Sequence, residues 1–152
     1  MKKVLFYICI ILTACLNNDA QVIPTTLEAY ATVNNKQLNG TKWELVEPQV
    51  GGITIEFSLN TVTRTTKYSD ETIKKQLYYY ISDSIPNKFD TSHIGNSEEG
   101  STIVIRGTEE NSKFIGYKIV KYDKDSLHIF YQAPHNTMFG GDELNLIYRR
   151  IK

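Results

Sequence analysis

The sequence predicts an all-β domain, an eight-stranded antiparallel up-and-down barrel. Three observations carry that reading. From Asn39 onward, apolar residues recur with period two in short runs rich in Val, Ile, Thr and Tyr. Turn signals separate the runs about every ten residues. Eight such runs follow one another with almost no helical periodicity between them. Closing eight short strands into a barrel removes the exposed edges on which other chains would pair. A length of 152 residues holds one such domain.

The chain opens differently. Lys2 and Lys3 precede an apolar run over residues 4–12 that only Tyr7 and Cys9 interrupt. A membrane-spanning helix needs about 20 apolar residues, so this run is too short to span and has the length of a signal-peptide core. It ends in Leu12-Thr13-Ala14-Cys15, which resembles the lipobox of bacterial lipoproteins. The resemblance implies a signal peptide over residues 1–14, cleavage before Cys15 and acyl chains on that cysteine. One acyl chain holds a protein marginally, and two or more anchor it stably. The expected partner is therefore a membrane and the expected location the cell envelope, on the outer membrane if the cell is Gram-negative. Cys9 leaves with the signal, so the mature body holds neither a free thiol nor a disulfide and must fold on its core alone. Loss of Lys2 and Lys3 turns 17 basic residues into 15 against 17 acidic ones, a net charge of −2. Such a chain has no basic field, which argues against nucleic acid as a partner.

Residues 15–39 are polar and Asn-rich, as a tether between lipid and domain would be. Thr25-Thr26-Leu27-Glu28 reads as a capping box, after which Leu27, Tyr30 and Ala31 share one helical face. A helix this short forms only by docking on the barrel. The barrel domain occupies 40–152. In its first strand Trp43 and Leu45 alternate with Lys42 and Glu44, and Gly51-Gly52 marks the turn that follows. Ile53, Ile55, Phe57 and Leu59 then alternate with Thr54, Glu56 and Ser58. All four apolar residues are expected inward, because a slip of one residue would bury Glu56. Further strands are expected over 61–68, 77–82, 102–106, 113–122, 126–132 and 143–151, with Leu77, Tyr79 and Ile81 on the inner face of the fourth. Two connections, 85–100 and 133–142, are too long for tight turns, and loops of that length are frequent carriers of function.

Gly40-Thr41-Lys42-Trp43-Glu44-Leu45-Val46 resembles the opening strand of lipocalin-like domains. Tyr79-Tyr80-Ile81-Ser82-Asp83, Phe89-Asp90, Gly116-Tyr117-Lys118-Ile119-Val120, Asp125-Ser126-Leu127 and the Tyr-Arg-Arg near the end are similar to small lipocalin-like lipoproteins of the Bacteroidetes type. The likeness covers residues 38–152. It implies an eight-stranded antiparallel barrel with room for a central cavity, in a family whose members often have no known ligand. Strict lipocalins space the motif Gly-x-Trp, and the extra residue here is shared with META-type barrels, which open with Gly-Thr-x-Trp and stand as the rival architecture. Lipocalins also lay an arginine from the end of the barrel across the tryptophan. First and last strands of a closed barrel are antiparallel neighbours. The phase of Leu144, Leu146 and Tyr148 turns Arg150 rather than Arg149 inward, so Arg150 is expected to pack on Trp43 and close the barrel floor.

Little points to catalysis. No nucleophile elbow, P-loop or zinc-protease motif is present. The acidic pairs Glu98-Glu99, Glu109-Glu110 and Asp142-Glu143 fall in expected turns, where water solvates them. His93, His128 and His135 lack the spacing of metal ligands, although His135, Asp142 and Glu143 would share one loop mouth. No metal, cofactor or enzymatic activity is expected. Tyrosine is abundant, and its amphipathic ring suits strands, pockets and partner surfaces alike. Asp83-Ser84-Ile85 and Asp125-Ser126-Leu127 match the short Asp-Ser-apolar pattern that Bacteroidetes use for O-glycosylation. Phe57, Tyr79 and Tyr148 are the expected ligand-facing side chains. Two functional readings follow. One is a non-catalytic binding module for a small apolar or amphipathic ligand. The alternative is an envelope interaction or inhibitor lipoprotein with a filled barrel, and the state of the interior separates the two.

Overall fold

A computed structural model describes residues 29–49, 51–132 and 143–152. Eight strands form one closed antiparallel barrel in which each pairs with the next and the last pairs with the first. They are β1 Lys42–Glu47, β2 Ile53–Phe57, β3 Thr61–Lys67, β4 Thr72–Ser82, β5 Thr102–Gly107, β6 Phe114–Tyr122, β7 Ser126–Gln132 and β8 Glu143–Ile151. Trp43 lies opposite Ile55 of β2 on one side and Arg150 of β8 on the other, so β1 joins both ends of the sheet. Among the described residues no helix is long and apolar enough to cross a membrane.

Side-chain alternation sets the faces. In β2, Ile53, Ile55 and Phe57 are buried and Glu56 is exposed, because successive side chains of a strand point to opposite faces. Leu59 departs from the expected phase and is 42% exposed. The strand ends at Phe57, and the Ser58 amide donates to the Thr61 carbonyl across the turn, so the period-two rule no longer applies at Leu59. β4 begins five residues earlier than its apolar pattern suggests. Lys74 and Lys75 are poor strand formers, yet the whole segment from Thr72 to Gln76 pairs with Lys67 back to Thr63. The ladder of β3 imposes their conformation, as neighbours often override β-propensity.

One end of the barrel is plugged by the N-terminal segment. The capping box at Thr25–Glu28 lies outside the described residues, and Ala31 is not helical: its amide donates to the Ile119 carbonyl, and Val33 bridges Gly100. The short helix instead is α1, Asn35–Leu38, and its capping box uses Asn34 and Gln37. Asn and Gln satisfy the same orphan amides as Thr and Glu. Val33 and Leu38 are fully buried and pack with Trp43, Ile81, Ile119 and Leu127.

The long connection between β4 and β5 folds back over the outside of the sheet. Tyr79 points in, so Tyr80 points out. Tyr80 is nonetheless buried, because Phe89 of the connection lies 5.0 Å from its ring and also packs on Phe114. The Arg106 guanidinium sits 4.5 Å from the centre of the Phe89 ring. Ile85 rests against Gly116, where a Cβ would come within 2.6 Å of the isoleucine and have to displace it. The turn between β6 and β7 is held by Asp123, whose carboxylate accepts from the Asp125 and Ser126 amides and the Ser126 hydroxyl. Those bonds, the Asp125 amide foremost, keep its carboxyl well below the usual range.

Candidate functional site: the barrel cavity

The half of the barrel remote from α1 is hollow. Its cavity measures about 430 Å³, within the range typical of small-molecule sites. Phe57 and Val62, at the facing ends of β2 and β3, lie at its inner limit, and Ile55, Ile103, Ile129 and Leu146 form walls from four different strands. Toward the end with the β1–β2 and β5–β6 turns it reaches Pro48, Ile53 and Gly107. The polar side chains among its lining residues are Arg64 and Lys113, both exposed, and Tyr117 and Tyr148, and no Asp or Glu lines it among the described residues.

Of the three expected ligand-facing residues, Phe57 and Tyr148 line the cavity and Tyr79 does not. Tyr79 is fully buried, its ring edge-on to Phe57 at 5.1 Å, and its hydroxyl donates to the Ser58 carbonyl at 2.8 Å. Its inward direction follows the strand phase, but its depth places it in the packed half. Burial pushes the Tyr79 phenol up and the Tyr148 phenol up to about 12. Burial likewise raises Tyr117. At Tyr117 and Tyr148 the positive charge of Arg64, which lines the same cavity, works in the opposite direction. Both phenols keep their protons at neutral pH and act as hydrogen-bond donors.

Arg64, Lys113 and Tyr117 escaped the reading of the sequence as site residues. A signal existed for Arg64: it shares the inward phase of Val62 in an otherwise Thr-rich strand, a cation where an apolar side chain is expected. Among the described residues no carboxylate pairs with it. Among the strand cations that do pair, Lys42 with Glu56 and Arg149 with Glu44 sit on the outer face, and Lys121 pairs with Asp123 at the end of β6.

The floor is knit around Trp43. Its indole Nε1 donates to Thr41 Oγ1 at 2.8 Å, and that hydroxyl donates to the Leu38 carbonyl at 2.6 Å. The Tyr122 ring lies 6.0 Å from the indole, and the Tyr122 hydroxyl donates to the Gln37 carbonyl. The Arg150 guanidinium carbon stands 5.5 Å from the indole centre, inside the cation–π range of roughly 6 Å. Arg149 points the other way, to Glu44 at 2.8 Å.

The histidines do not converge. His93 lies in the long outer connection beside Asp90 and Glu98, and His128 is on β7. His135 and Asp142 lie outside the described residues, and with them the expected grouping with Glu143. Cys15 also lies outside. Among the described residues no three His, Cys, Asp or Glu side chains gather as a metal site requires. Compared with known protein families, curated proteins and solved structures, the chain matches none.

Proposed function

We propose that the protein is a non-catalytic binding module whose barrel cavity holds a small apolar or amphipathic ligand. We further propose that it works in the cell envelope as a lipocalin-like lipoprotein anchored through Cys15. The single observation that carries the binding reading is the cavity of about 430 Å³, walled by aliphatic side chains with few polar groups. A barrel that served only as a scaffold for protein contacts would gain stability by filling that space, since voids in a core cost packing energy. Binding follows from burial: each methylene taken from water contributes about 0.8 kcal/mol, so two more carbons in a tail tighten binding roughly tenfold until the space is full.

The test is a titration with Nile red, a neutral apolar dye. Saturable binding with blue-shifted emission is expected for the native barrel. Ile105→Trp, which extends an indole into the cavity without adding charge, should abolish the signal while the far-ultraviolet circular dichroism is kept. Equal binding by the folded variant would move the ligand elsewhere. The anchor rests on the residues preceding and including Cys15. Cys15→Ser should abolish incorporation of a labelled fatty acid in cells, and equal labelling of both forms would remove the anchor.

A further inference from the structure

We infer that the ligand carries an anionic head group, bound inside the cavity by the Arg64 guanidinium together with the Tyr117 and Tyr148 hydroxyls, with its apolar tail lying among the aliphatic walls. This rests on the cavity being the binding site and names the chemistry it selects. Arg64 pairs across the sheet with Ile55 and both line the cavity, so the cation stands on the cavity side of the sheet while remaining exposed to water. Elsewhere on the strands Lys42, Lys121 and Arg149 have carboxylate partners, Lys118 donates to the Asp83 carbonyl and Arg106 lies on the Phe89 ring. Arg64 faces inward and has none among the described residues.

The lining is one-signed. It holds Arg64 and Lys113, and no carboxylate lines it among the described residues. A neutral ligand would leave these cations unused and a cationic one would be repelled. An anion receives the planar donor fork of a guanidinium, which suits oxyanions, together with phenol donors. The phenols come from β6 and β8 and the guanidinium from β3, so three strands contribute donors to one cavity. Burial holds both phenols protonated, and they would donate to the oxyanion rather than repel it. Lys113, at the start of the β6 run, adds positive potential nearer the end of the barrel, which draws an anion inward.

The experiment compares laurate, lauryl alcohol and lauryltrimethylammonium by titration calorimetry on the full chain, all below their aggregation limits. These share one tail and differ in head charge. Laurate is expected to bind about tenfold or more tighter than the alcohol, the effect of one charge-assisted hydrogen-bonding head group, with the ammonium weakest. Arg64→Gln should abolish the preference, bringing laurate to the affinity of the alcohol on the same folded variant. Equal affinity of laurate and alcohol for the native protein overturns this inference and leaves the binding module standing. Retention of the preference by Arg64→Gln also overturns it. Binding of none of the three would remove both readings.

Discussion

Phe57→Ala is expected to lower the free energy of unfolding by about 3–5 kcal/mol, the cost of deleting a large buried aromatic. Phe57 is 1% exposed and stacks edge-on with Tyr79. Its amide donates to the Thr41 carbonyl, and its own carbonyl accepts from the Gly40 amide, so the backbone around it is pinned to the residues just before β1. It also lies at the boundary between packed floor and hollow half. Removing the ring would join new empty volume to an existing cavity inside a closed sheet that has little freedom to collapse. That places the loss toward the upper part of the range. Domains of this size are held by roughly 5–15 kcal/mol, so the variant should unfold at visibly lower urea concentration. The single tryptophan, Trp43, is fully buried and reports the transition by fluorescence. A loss of about 0.5 kcal/mol or less, the range of ordinary surface changes, would mean that Phe57 is not in the core.

Trp43→Ala should cost about as much, again roughly 3–5 kcal/mol. The indole fills the plugged end between Tyr122 and the segment ending at Leu38, and its Nε1 links β1 to that segment through Thr41. Its removal empties the floor and strips the Arg150 guanidinium of the ring it covers. Arg150→Ala should cost much less, about 1 kcal/mol, because Arg150 remains exposed and cation–π contacts at exposed sites are weak. Urea titrations followed by circular dichroism, which needs no tryptophan, give both values. A larger loss for Arg150→Ala than for Trp43→Ala would show that the floor depends on the arginine and not on the indole.

Much of the barrel was legible because its information is local. The alternation Ile53-Thr54-Ile55-Glu56-Phe57 specifies a strand and its inner face together, since the side-chain period of a strand is two and a one-residue slip would bury Glu56. The Gly51-Gly52 turn was readable for the same reason: both residues have positive φ, which glycine adopts at no steric cost. Phe57 and Tyr148 could be named as cavity residues from phase alone. Other features depended on partners distant in sequence. Lys74 and Lys75 are strand residues because β3 lies beside them. Leu59 left the core because the chain turns before reaching it. Tyr79 and Tyr148 have the same inward phase, but only the depth of each along the barrel decides that one is packed beneath the cavity and the other faces it.

By itself, then, the sequence determined an all-β chain, the number and order of its strands, and the inward face of most of them, since period and turn chemistry are written in neighbouring residues. Tertiary structure alone decided which outward tyrosine is covered, that α1 and Val33 plug one end, and that the other half is hollow. It also decided that Arg64, Tyr117 and Tyr148 line one cavity. Those three stand on β3, β6 and β8, and their sharing of one cavity is a property of strand tilt and closure rather than of any local pattern. A cavity is the volume that side chains from all eight strands fail to fill, and no single stretch of sequence records that difference.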